Sequence, residues 1–184
     1  MKHWLTLLVV VFIAAGCNSQ ERAPKNKNTP SATPQQASAK LMQQGVEFLN
    51  EKDVARAVVS FEGAIQVDPN NVQPYMVLAE IFMRTKSFPE AVAVLERAVN
   101  IAPENGFVFY MLSLANEGNK APLPAVLAAR RSMELFKSQN NDEGYKQSLM
   151  LMETLIKSEQ QKQGAGVASS DGNNPKMDLP VKTF

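Results

Sequence analysis

Chemistry-bearing side chains are scarce in this 184-residue chain: its only histidine is His3 and its only cysteine is Cys17. Acid–base, nucleophilic and metal chemistry normally brings His, Cys or converging carboxylates together. The carboxylates present, such as Glu47, Glu51, Asp53 and Glu62, fall at the spacings of a wet helix surface. The sequence therefore argues against an enzyme, and it predicts no catalytic residue, no metal site, no cofactor and no small-molecule substrate. Charge of one sign is lacking as well. The formal net charge is +1, and since Lys2 is the only Lys or Arg before Cys17, the chain from Cys17 onward carries 18 basic and 18 acidic residues. That balance leaves no electrostatic footprint for nucleic acid. Long hydrophobic runs are absent too: the most apolar stretch, residues 5–15, is broken by Thr6 and falls short of the roughly 20 residues that span a bilayer.

That short run follows Lys2 and ends in the small residues Ala14, Ala15 and Gly16, so residues 1–16 read as a secretory signal peptide rather than a permanent transmembrane anchor. Small residues directly before Cys17 resemble the lipobox of bacterial lipoproteins, with Ala14 where leucine is commonest. The resemblance implies that Cys17 is lipidated, with palmitate among its acyl chains, and becomes the new N-terminus. Ordinary cleavage would instead release a soluble protein with a lone reactive thiol. Acyl chains at ~0.8 kcal/mol per buried methylene hold a protein on a membrane. Asn18 stands where that family uses aspartate for inner-membrane retention, so the resemblance implies an exported protein of the bacterial cell envelope on the outer membrane, facing the periplasm. Residues 17–37 then read as a disordered tether, with Pro24, Pro30 and Pro34 opposing helix and a mean span of about 25 Å. Arg22, Lys25 and Lys27 beside Glu21 read as a solvated spacer.

From Ser38 the chain is organised by a spacing of 34 residues: Ala57-x3-Phe61-x2-Ala64-x4-Pro69 returns as Ala91-x3-Leu95-x2-Ala98-x4-Pro103 and, more weakly, as Ala125-x3-Ala129-x2-Ser132. Upstream in each unit stand Leu41, Gln44, Gly45, Phe48, then Tyr75, Leu78, Ala79, Phe82, then Phe109, Leu112, Ser113, Asn116. Three- and four-residue steps put these on one helix face. Two such helices make a hairpin too small to bury its own apolar side, so copies must stack.

In period and marker order these units resemble the tetratricopeptide repeat, over residues 38 to about 137. The resemblance implies an all-α solenoid of three helical hairpins, 38–71, 72–105 and 106–139. Unit three departs at Ser113, Asn116, Ala129 and Lys137, where glycine, tyrosine, phenylalanine and proline are usual, so looser packing is expected there. In a fourth frame Glu143, Lys146 and Gln147 occupy apolar slots, yet Tyr145, Leu149, Met152 and Ile156 still recur on one face. Residues 140–161 are thus expected to form a C-terminal capping helix. Residues 162–184 are expected to be a disordered tail in which Met177, Leu179, Val181 and Phe184 make a candidate docking motif.

The family holds peptides or helices in a concave groove lined by its first helices. Carried over, those positions are Met42, Val46, Leu49, Met76, Val77, Glu80, Met83, Arg84, Phe107, Tyr110, Met111 and Leu114. Chaperone-binding members clamp a terminal carboxylate with Lys, Asn and Arg, where this chain has Met42, Val46, Val77, Phe107 and Met111. The implied partner is therefore an apolar peptide or amphipathic helix of unknown identity, with Glu80 and Arg84 setting its direction. A membrane-anchored interaction scaffold is the leading expectation. A pilotin-like assembly factor for a type IV pilus or secretion complex, and a self-associating envelope protein, stay open beside it.

Overall fold

The computed structural model describes residues 32–168, which hold seven α-helices and no strand. The signal segment, Cys17, most of the tether and residues 169–184 lie outside the described residues. Three hairpins follow one another: α1 (Pro34–Asn50) with α2 (Val54–Val67), α3 (Val72–Arg84) with α4 (Phe88–Ile101), and α5 (Gly106–Gly118) with α6 (Pro122–Ser138). The last helix, α7 (Asp142–Ala168), packs on α6 and touches α5. The fold is an all-α solenoid.

The 34-residue period is visible in the backbone itself. Lys52, Lys86 and Lys120 end the turn inside each hairpin in the left-handed conformation, with φ of 62°, 61° and 58°. Each lysine N–H donates to the carbonyl three residues back, and the next N–H to the carbonyl five back, at Phe48, Phe82 and Asn116. This closes off the carbonyls left free at the end of the first helix. At the other edge, Asn71 and Asn105 cap α3 and α5, accepting 3.0 Å bonds from the N–H groups of Gln73 and Phe107.

Both ends of the helical array differ from expectation. Pro34 does not oppose α1 but opens it: at the first helical position its missing N–H costs nothing, and Thr33 and Gln36 exchange backbone-to-side-chain bonds of 3.0 and 3.3 Å across it. At the far end α7 runs to Ala168, past the expected 161. Its register also differs. Pro69 and Pro103 follow α2 and α4 by two residues, but Lys137 stands at the next such position and lets α6 continue to Ser138, 17 residues against 14. The cap of α7 is accordingly Asn141, whose Oδ1 accepts from the Gly144 N–H at 2.9 Å, 36 rather than 34 residues after Asn105. The buried line on α7 is Gly144, Ser148 and Leu155, whereas Tyr145, Leu149 and Met152 are half-buried and Ile156 is exposed.

The main core threads the first two hairpins and reaches into α5. Phe61, Leu78 and Leu95 are fully or almost fully buried, each stabilising the fold by about 1.5–3 kcal/mol relative to exposure. Gly45 lies against the Phe61 ring, whose Cζ is 2.7 Å from where a Cβ would sit. Unit three is not loosely packed. The space left by Ala129 at the usual phenylalanine position takes Leu155 of α7, which packs on Ala125 and Ala129 with Leu151 and Met152 around it. Serines join the helices there: Ser113 Oγ donates to the Ala125 carbonyl at 2.9 Å and Ser132 Oγ to that of Gly106 at 2.7 Å. Since Ser132 has one proton and spends it on Gly106, Ser148 is the donor in the 2.8 Å hydroxyl pair between them. Among the described residues no buried side-chain N or O lacks a partner.

Candidate functional site

Helices α3 and α5 share a second face at the border of the main core, against which Met76, Val77 and Met83 also pack. On α3 this face carries Gln73, Met76, Val77, Glu80 and Met83, and on α5 Phe107, Tyr110, Met111 and Leu114. Steps of three and four keep each set on one side of its helix, opposite the core residues Tyr75, Leu78 and Ala79. Between them lies a cleft of about 340 Å³. Four pairs of its residues, Gln73 with Phe107, Met76 with Tyr110, Val77 with Met111 and Glu80 with Leu114, are 34 apart. The cleft is thus one repeat position after another, presented twice.

Eight of the twelve groove residues inferred from sequence line this cleft. Met111 does so at its base, since it is 6% exposed and belongs to the core, whereas Phe107 stands 46% exposed at the rim and stacks on Tyr110 with ring centroids 6.1 Å apart. Met42, Val46, Leu49 and Arg84 do not line it. Met42 and Leu49 pack against the main core, and Val46 is exposed on α1. Arg84 reaches back one turn to Glu80, with Nη2 to Oε1 at 2.7 Å and Nε at 3.0 Å. Glu80 is the one charged residue lining the cleft, and that ion pair compensates it, so the surface offered is apolar and close to neutral.

Sequence reasoning missed Gln73, although its period partner Phe107 was named; carrying the period back would have found it. It also missed the continuation of this surface onto α7, where Gln147, Met150, Leu151 and Thr154 form a second depression of about 260 Å³ with Tyr110 and Glu117. Met150 is 67% exposed and stands 36 residues after Leu114. A strict 34-residue frame points instead to Ser148, which is buried.

Among the described residues no three His, Cys, Asp or Glu side chains converge on a metal-sized site, and no helix is long and apolar enough to cross a membrane. The arrangement has the means for contact with another polypeptide: a trough with flexible methionines and a stacked aromatic pair.

Residues 48–112 match the family profile of the tetratricopeptide repeat. No curated protein matches the chain. Similar solved structures include the N-terminal domain of stress-induced protein-1 from C. elegans, at 24% identity over 66% of this chain and 98% of that one with a TM-score of 0.57. The TPR2B domain of yeast Sti1, in its pHsp70 complex, is 19% identical over 66% and 98% with a TM-score of 0.61. The first TPR of Spaghetti (RPAP3), bound to the HSP90 peptide SRMEEVD, is 16% identical over 70% and 97% with a TM-score of 0.59. The matched repeats and the fold that carries them agree: residues 48–112 match the tetratricopeptide repeat, and the described residues have the fold of solved domains of that kind.

Proposed function

We propose that this protein is a lipid-anchored interaction scaffold of the bacterial cell envelope that holds an apolar peptide or amphipathic helix in the α3–α5 cleft. The observation that carries this reading is the lining itself: Met76, Val77, Met83, Phe107, Tyr110 and Leu114 with no lysine or arginine among them. An apolar patch of that kind on an exported protein is a contact surface. Two of the similar structures were solved with peptide partners, one of them the acidic SRMEEVD. An acidic peptide would find no cation in the present cleft, so the ligand class differs: aliphatic or aromatic side chains, spaced along a strand or one helix face. Anchoring rests on the sequence of residues 1–17, where a short signal peptide meets Cys17, and the run of polar residues behind it supplies the tether.

The test is site-specific photocrosslinking in envelopes. A photoreactive residue at Phe107 should capture a discrete protein, and one at Val59, 68% exposed on α2 and outside the cleft, should not. Met76→Glu together with Leu114→Glu should abolish that capture; equal capture from both positions, or capture that survives the charges, overturns the cleft. Anchoring is read separately by metabolic incorporation of a palmitate analogue, expected in the parent and absent in Cys17→Ser. A parent chain without label removes the lipid from the proposal and leaves the cleft standing.

A further inference from the structure

A second apolar groove lies away from the cleft, where α7 outruns its hairpin. The first helices α3 and α5 are 13 residues long and then turn back, but α7 is 27. Its second half passes the turn between α5 and α6 and, with the first turns of α6, encloses a groove of about 290 Å³ lined by Pro122, Leu123, Val126, Ile156, Glu159 and Gln160. Leu123 is 68% exposed, Ile156 38%, and the neighbouring Leu127 45%. No helix among the described residues follows α7 to cover them.

We infer that the occupant is this chain's own segment at residues 177–181, laid back along α7 in an extended form. Its pattern fits such a seat: Met177, Leu179 and Val181 alternate with Lys176, Asp178 and Lys182, which puts three apolar side chains on one edge of an extended chain. Pro180 opposes a helix there. The intervening Ser169, Ser170, Gly172, Asn173 and Asn174 have the composition of a reversing loop. The reach is sufficient. Ile156 lies 12 helical residues before Ala168, about 18 Å, and the nine residues from Ala168 to Met177 extend to about 30 Å. Glu159, the one charged residue lining the groove, is already paired with Lys162, so the seat is apolar and close to neutral and suits an aliphatic triplet. A covalently joined segment meets its groove at an effective concentration in the millimolar range, so three aliphatic contacts suffice, where a second copy of the protein would need a far larger interface. This seat is distinct from the α3–α5 cleft, and a photoprobe at Phe107 reports on that cleft independently.

The experiment places a photoreactive residue at Leu123 in the full exported chain and irradiates an equal mixture of unlabelled and 15N-labelled protein. The expected product is a crosslink from position 123 to residues 176–184 of the same chain, reduced at least about tenfold by Leu179→Asp with Val181→Asp, since charges are costly in an apolar seat. Both substitutions lie outside residues 32–168, which hold the helices of the array, so folding of the array is undisturbed. The same pair should speed amide exchange at Ile156 and Gln160. A light–heavy product means that a second copy fills the groove. A crosslink elsewhere, no crosslink, or a tail crosslink indifferent to the charges likewise overturns the inference.

Discussion

Asp53, Ser87 and Ala121 hold one position of the repeat, the residue before each second helix, and they do three different things there. Asp53 accepts from the Arg56 N–H at 3.0 Å and from its guanidinium Nε at 2.6 Å, and these bonds, the backbone one foremost, hold its carboxyl below the ordinary 3.8. A carboxyl lowered on folding contributes stability in full above its unfolded value, and that contribution is lost as pH falls through the lower folded value. Asp53→Asn keeps an acceptor without the charge. In denaturant titrations the stability gap between parent and variant should therefore be constant near neutrality and shrink as pH falls through the ordinary carboxylate value and below it. Ser87 makes no capping bond to α4, so Ser87→Asp should raise stability by about 0.5–1 kcal/mol. Ala121→Asp should gain about as much, because Pro124 removes one of the two N–H groups a cap can take and leaves that of Leu123, just as Pro89 leaves that of Glu90 in α4. A gain at one site and none at the other in thermal melts would refute that account.

At the scale of helices, how closely two elements approach is set by what faces a glycine. A Cβ at Gly45 would sit 2.7 Å from the ring of Phe61, which is fully buried and cannot retreat, while one at Gly63 meets only Leu41 at 3.6 Å. Gly63→Ala should thus stabilise by about 0.5–1 kcal/mol through helix propensity, whereas Gly45→Ala should cost about 1–3 kcal/mol through overpacking. Denaturation midpoints with unchanged slopes would show both, and a tolerated Gly45→Ala would mean that α1 and α2 slide freely. Period and small-residue pattern were legible in the sequence because each unit repeats them, and so was most of the α3–α5 cleft. What escaped was anything that depends on where a helix stops. Lys137, standing where the earlier units have Pro69 and Pro103, lengthens α6, moves the cap to Asn141 and brings Met150 beside the cleft surface. Pro34 was misread for the converse reason: a proline opposes helix in the interior and suits it at the first position, and only the Thr33–Gln36 exchange distinguishes the two.

For the molecule as a whole, these contacts make α7 the closing element of a one-dimensional stack, in which each hairpin is held mainly by its neighbours. Among the described side chains of α7, Leu155 is the apolar one buried most deeply, 3% exposed in the hollow over Ala125 and Ala129, and Ser148 adds its hydroxyl bond to Ser132. Leu155→Ala should cost about 2–5 kcal/mol, and in a stack that cost need not be shared evenly. Freed from Leu155, α7 opens first and uncovers α6, so amide exchange should accelerate through α7 and α6, while α1 to α4, bound by the separate core around Phe61 and Leu95, keep their protection. Exchange that rises uniformly from α1 to α7 would show that the two cores melt as one and that α7 is not an independent cover. Because the α3–α5 cleft spans the middle of the stack, the graded outcome has a functional corollary: the Leu155→Ala protein should retain the capture seen from Phe107 while losing the extension of that surface over Met150.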